Sequence, residues 1–294
     1  MPAEFVRVDV WTLAEDDPVI SAYAGAVAAM KAKPASDPTS WAYQAAIHGT
    51  LAGSPRAQWN QCRHGSWYFL PWHRMFLYYF ERIVRAQVTA NGGPGTWALP
   101  YWNYDGGGDH NSLPLAFRNP VNSGGTANPL HVAQRAAGIN EGAGLPSFVT
   151  SPALALGRPS FIGSSEFGGG TTSPFGQFWS KTGRLEQTPH NDIHDVIGGL
   201  MSNPDTAAQD PIFWLHHANI DRLWWLWEQH HGNPSGPKWT AESFLIDGSP
   251  GFADEDGQPA SLTCAEVHDT AGRLGYTYDG AARPPVPPAP EAPP

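Results

Sequence analysis

The residues of this chain best suited to chemistry are histidines, gathered in two clusters. His48, His64 and His73 form the first, the last two inside QCRHGSWYFLPWHRMFLYYFER. His190 and His194 in PHNDIHD form the second, together with the adjacent pair His216 and His217 in DPIFWLHHANIDRLWWLW. No Asp or Glu sits at a comparable spacing inside either triplet. All-imidazole sets suit zinc, copper, iron or nickel rather than hard, oxygen-seeking ions. Two such sets in one chain suggest two metals close together and chemistry on a small molecule held between them. His110, His131, His230, His231 and His268 have no partner at ligand spacing and read as ordinary surface or core histidines.

Helices must position these rings. His190 and His194 are four residues apart on a predicted helix running from about Pro189 to Gly198-Gly199, so both imidazoles leave one face. A third ligand then comes from the next helix, predicted from Asp210-Pro211 to about His230. His73 opens a helix predicted from Pro71 to about Val88, where the proline fits the first turn and Phe76, Tyr79, Phe80 and Ile83 mark an apolar face. His64 precedes it in an extended turn, and His48 ends a short helical segment at Gly49. A further helix starts at Asp17-Pro18 and closes at Lys33-Pro34. Four helices presenting ligands inward imply a mainly α fold: a four-helix bundle core wrapped by long loops and a few short β-strands.

Composition supports this plan. The 294 residues include 13 Trp, 32 Gly and 29 Pro, enough for a sizeable core and for long irregular connections around a few helices. Residues 91–185 read as such an excursion, with TWALPYWNYD as its apolar island. Residues 233–280 read as loops and short strands. The net charge of -10 argues against sequence-independent nucleic-acid binding, which needs a basic face. No apolar stretch is long enough to span a bilayer. The N-terminus shows no signal peptide, so the expected compartment is the cytoplasm, or the exterior by an unrecognised export route. Two cysteines, Cys62 and Cys264, are too few for a disulfide scaffold. From Ala281 the tail AARPPVPPAPEAPP is expected to be extended or disordered.

The sequences flanking the histidines carry more information than their spacing. HGSWYFLPWHRMFLYYFER and DPIFWLHHANIDRLW closely resemble the two copper-binding signatures of the type 3 copper family of tyrosinases, catechol oxidases and molluscan-type haemocyanins. The resemblance runs from about Arg7 to Tyr278 and is strongest at 60–85 and 186–228. LGYTYD resembles the Tyr-x-Tyr motif that closes the family's catalytic domain, so residues 1–280 are expected to form that domain and 281–294 the tail. The resemblance implies two copper ions that together hold O2 as a bridging peroxide: CuA on His48, His64 and His73, CuB on His190, His194 and His217. His216 is then a buried neighbour. Asp221, one turn after His217, is expected either to orient it or to pair with Arg222.

The implied reaction is O2-dependent ortho-hydroxylation of phenols and oxidation of o-diphenols to o-quinones. Alternatives on the same site are an o-aminophenol oxidase and a haemocyanin-like O2 carrier. Glu186 and Asn191 match positions that hold a water able to deprotonate the phenol. Asp195 is an acid at the pocket mouth, expected to repel carboxylates and to favour neutral or cationic phenols. Cys62 and His64 match an arrangement that forms a thioether; a free thiol or a disulfide to Cys264 competes with it. The expected partners are small phenols, O2 and a copper-delivery protein, with neither nucleic acid nor membrane. The family's shielding C-terminal domain has no counterpart before the tail, so activity without unmasking is expected. The sequence leaves the oligomeric state open.

Overall fold

A computed structural model describes residues 3–53, 55–122, 124–175 and 178–280. The proline-rich tail lies outside the described residues.

Helix α1, Pro18–Ala32, starts where Asp17 accepts a hydrogen bond from the Val19 amide at 2.8 Å, with Pro18 in the first turn. Its buried Ile20, Tyr23, Ala26, Val27 and Met30 recur at helical spacing and face the core. Ser40 caps α2, Trp41–His48, through the Tyr43 amide at 3.1 Å. Helix α3, Phe69–Ala90, begins two residues before Pro71. The proline still falls in the first turn, where a missing N–H costs nothing. Helix α4, Asp192–Ile197, follows a wide turn at Glu186–Asn191 that is interrupted at Thr188 and ends at Gly198 with φ 67°. Helix α5, Ile212–Glu228, is buried along nearly its whole length.

Helix α1 packs along α3 and α3 packs on α5, with α2 against the Ala207–Gln209 turn. Aromatic rings fill the joints, with Trp214 stacked on Phe80 between α5 and α3. The long middle segment is tied down largely by rings. Phe167 stacks on Trp227 at 4.4 Å, and the Trp97 and Trp102 indoles donate to the carbonyls of Val19 and His110. Trp72, Trp214 and Trp224 are core residues, while Trp225 is half-buried. Among the described residues no helix is long and apolar enough to cross a membrane.

Strand β1, Phe5–Arg7, pairs in parallel with β4, Tyr276–Tyr278, and β2, Phe252–Ala253, pairs antiparallel with β3, Pro259–Ala260. The first pair delivers Arg7 into a buried charge cluster. Arg7 binds Glu81 at 2.8 Å, Asp221 at 3.1 Å and the Tyr278 hydroxyl at 2.9 Å. Arg74 reaches Asp221 at 2.5 Å and Glu228 at 3.0 Å, and the Tyr276 and Tyr278 hydroxyls both lie 2.5 Å from Asp221. Asp221 therefore neither orients His217 nor pairs with Arg222. Its partners come from positions 7, 74, 276 and 278, too distant in sequence for local spacing to reveal. Arg222 instead lies over the Tyr101 ring at 4.8 Å.

Candidate metal centre

The fold brings both histidine clusters to one buried point between α2, α3, α4 and α5. His48 is the last residue of α2, and the chain turns away at Gly49. A Cβ on Gly49 would fall 2.4 Å from the Pro204 carbonyl oxygen, so only glycine admits that close approach. His73 lies in the first turns of α3. His64 sits in the extended segment before α3, which Gly65 bends at φ 65°. In the first triad the ring centroids of His48, His64 and His73 are 5.2–5.5 Å apart.

In the second triad His190 lies 4.6 Å from His194 and 4.9 Å from His217, and His194 lies 5.4 Å from His217. The triads face each other, with His73 stacked on His217 at 4.7 Å and His64 5.7 Å from His190. Within each group the potential ligand atoms lie within 4.8 Å of one another; the second group also contains His216. The His194 and His217 Nε2 atoms converge to 3.2 Å, whereas His216 packs between His190 and Tyr104 at 5.5 and 5.7 Å.

Hydrogen bonds fix the tautomers of four of the six rings, while Nδ1 of His64 and of His217 is buried without a partner. The Nδ1 atoms of His48, His73 and His194 meet the carbonyls of Pro204, Phe69 and Met201 at 2.8–2.9 Å. His190 Nδ1 meets the Asn191 side-chain oxygen at 2.9 Å. A neutral ring that donates from Nδ1 carries its lone pair on Nε2. The Nε2 atoms of His48, His73 and His190 are buried without a hydrogen-bond partner. Burial holds the rings neutral, lowering His48 to about 3 and His194 to about 4. Buried, neutral, lone-pair-bearing nitrogens converging in two threes are what a pair of imidazole-seeking ions requires, and the donor set contains no carboxylate. The residues fit a dinuclear copper site.

The family-model match decides the lineage: the common central domain of tyrosinase matches residues 38–145 and 158–230. The chain belongs to the tyrosinase family. It is similar to tyrosinase HcTyr1 of Hahella sp. (strain CCB-MM4), 40% identical over 94% of this chain and 63% of that one. It is also similar to the chloroplastic (+)-larreatricin hydroxylase of Larrea tridentata, 32% identical over 90% of this chain and 47% of that one. The chain thus spans from about half to somewhat under two thirds of the length of these curated relatives. The crystal structure of Grenache (Vitis vinifera) polyphenol oxidase shares the fold, with a TM-score of 0.74 at 24% identity over 95% of this chain and 85% of that one.

Around this tyrosinase-family centre lies a cavity of about 270 Å³, bordered by His48, His64, His190 and His194, by Asn191 and Asp195, and by the loop from Met201 to Ala207. Asp195 is exposed; partial desolvation and the neighbouring Asp192 carboxylate raise its pKa. Glu186 is 1% exposed; one carboxylate oxygen accepts the Gly65 amide at 2.7 Å and the other has no partner. Burial raises its pKa to about 8 against the pull of the Gly65 amide. Cys62 is buried beside the first triad, its thiol pushed up to about 12 by burial. No disulfide joins Cys62 to Cys264. His110, His131, His230, His231 and His268 stay outside the cavity lining.

Three features escaped the sequence reading. The loop carbonyls of Met201 and Pro204 carry no side-chain signal. Gly49 reads there as a mere helix stop. Trp179 also borders the cavity, its indole stacked on His64 at 5.8 Å and 15°. Its only trace in the sequence is an aromatic cluster, Phe175, Phe178 and Trp179, inside a Gly/Ser/Thr-rich segment.

Proposed function

We propose that this chain is an O2-dependent copper oxidoreductase that hydroxylates phenols ortho to the hydroxyl and oxidises o-diphenols to o-quinones. The carrying observation is the facing pair of buried imidazole triads, four of whose rings border one cavity. Family membership and the tyrosinase and hydroxylase names of its relatives point the same way. When bound, a copper pair supplies two-electron chemistry with O2. His48, His64 and His73 hold one ion. His190, His194 and His217 hold the other, with His217 preferred to His216 because its Nε2 converges with that of His194.

The remaining groups serve positioning and proton transfer. The Pro204, Phe69 and Met201 carbonyls and the Asn191 side chain fix the ring orientations. Asn191 spends its oxygen on His190 and keeps its amide N–H groups for a water. Glu186, buried with one unpartnered oxygen, is the base that takes a proton from that water as the water deprotonates the phenol. Cys62 and His64 form a thioether: a sulfur–carbon bond replaces the thiol S–H and a ring C–H, and O2 takes the two electrons and two protons as hydrogen peroxide. Intact mass lower by two hydrogens and unchanged by reductant supports this bond. A mass restored by reductant overturns the thioether.

The deciding experiment is copper loading followed by O2 uptake with tyramine, dopamine, tyrosine and an o-aminophenol. Quinone formation from tyramine after a lag, and from dopamine without one, is the expected result. Uptake with dopamine alone reduces the activity to diphenol oxidation. Turnover of the o-aminophenol alone reassigns the substrate, and reversible O2 binding without turnover reassigns the chain as a carrier.

A further inference from the structure

Trp179 is 55% exposed, yet it is held in place. It opens a tight 3-10 turn, Trp179–Lys181, in which the Thr182 hydroxyl donates to the Trp179 carbonyl at 2.6 Å and the Lys181 amide to the Phe178 carbonyl at 2.6 Å. The Gly170 amide ties the turn down through the Lys181 carbonyl at 2.8 Å. Gly65, next to His64, lets the strap approach: a Cβ there would fall 2.4 Å from the Phe178 carbonyl and 2.7 Å from the Trp179 amide nitrogen.

One flank of the indole covers the His64 ring, and the remainder borders the cavity. The other lining groups are neutral rings, Asn191, Met201, Ser202, Pro204 and Ala207, with Asp195 the one carboxylate. Among the described residues no lysine or arginine lines the cavity. An exposed indole face attracts a cation, and so does an unpaired carboxylate at the mouth.

We propose that Trp179 is a specificity-determining residue: it walls the first-triad side of the cavity and, with Asp195, selects phenols that carry an ammonium-bearing side chain. This rests on the phenol-oxidising reading above and deepens it. The phenol enters along the His190–His194 side, its hydroxyl toward the metals and its ammonium toward the indole and the Asp195 carboxylate.

The test measures binding as well as turnover. Copper-loaded protein, kept anaerobic so that nothing turns over, is titrated calorimetrically with tyramine, phenol and 3-(4-hydroxyphenyl)propionate. The wild type is expected to bind tyramine tightest and the carboxylate weakest. Trp179→Ala weakens tyramine about fivefold while phenol changes less, and Trp179→Phe retains most of the affinity. Asp195→Asn narrows the gap between tyramine and the carboxylate by about threefold, as expected for a solvent-screened charge. Equal weakening of all three ligands in Trp179→Ala, or no weakening of any, overturns the proposal. If Trp179→Ala fails to hold two coppers, Trp179→Leu, which keeps bulk without the aromatic face, carries the comparison. Wild-type protein that binds in this order but consumes no O2 refutes the oxidase reading and leaves the selectivity standing. Normal O2 uptake with unchanged relative affinities for the three ligands in the variants does the reverse.

Discussion

Helices α3 and α5 each serve two buried polar clusters of opposite character. His73 and Arg74 are neighbours on α3, and His217 lies one turn before Asp221 on α5. The histidine centre contains no formal charge and is rich in unpartnered nitrogens. The cluster around Asp221 sets Arg7, Arg74 and Arg85 against Glu81, Asp221 and Glu228, with two tyrosines, and every buried side-chain polar atom in it has a partner. A buried polar atom without a partner costs about 1–3 kcal/mol, so a saturated cluster reads as architecture and an unsaturated one as a site awaiting its ligand. The same two helices thus lock the fold with one cluster and hold metals with the other.

The largest expected effect breaks the saturated side. Asp221→Asn leaves Arg7 and Arg74 without their shared counter-ion, an uncompensated buried charge worth about 3–5 kcal/mol. Urea unfolding is expected to show that loss equally with copper bound and with copper chelated. A loss below about 1 kcal/mol, or one confined to the copper-loaded protein, would sink the assignment of this cluster to architecture.

The unsaturated side answers to metal affinity instead. A methyl on Gly49 must push the Pro204 carbonyl away, and the loop it would move orients His48 through Pro204 and His194 through Met201. Gly49→Ala is therefore expected to weaken copper binding about tenfold or more at both sites, read by competition with a chelator. Weakening of one site alone would show that the loop does not couple the two triads.

These two clusters were unequally legible in the sequence. The ligand histidines and the helices of His48, His73, His194 and His217 could be read because helical spacing is local and the flanks of His73 and His217 repeat family signatures; His190, expected on the helix of His194, lies instead in the wide turn just before α4. The bounds of α1 and α2, the stop at Gly198 and the looped middle segment followed from capping residues, glycine and proline. The charge cluster could not be read: Asp221 meets Arg7 and Arg74 across 214 and 147 residues, and the local candidate, Arg222, points to Tyr101. Trp179 was hidden for a related reason. It owes its place to the glycine at position 65, which reads as a turn residue until the strap is seen lying against it.

The smallest expected effect sharpens the comparison through pH. Burial alone would raise the Asp221 pKa, but the Arg74 and Arg7 guanidiniums and the Tyr276 and Tyr278 hydroxyls hold it below the ordinary value of 3.8. Glu228, which also faces Arg74, is shifted the other way by burial. Because the folded value of Asp221 lies below the unfolded one, its stabilisation is complete above the unfolded pKa and is lost as pH falls through the folded value. The gap in unfolding free energy between wild type and Asp221→Asn should stay level from about pH 7 to about pH 5, then close below about pH 4 by at most about 1.4 kcal/mol per unit. Urea titrations of both proteins in chelator remove any contribution from bound copper. A gap that begins to close near pH 6, where unperturbed histidines titrate, would mean that the histidine centre and the charge cluster are energetically one unit, and the comparison would fail.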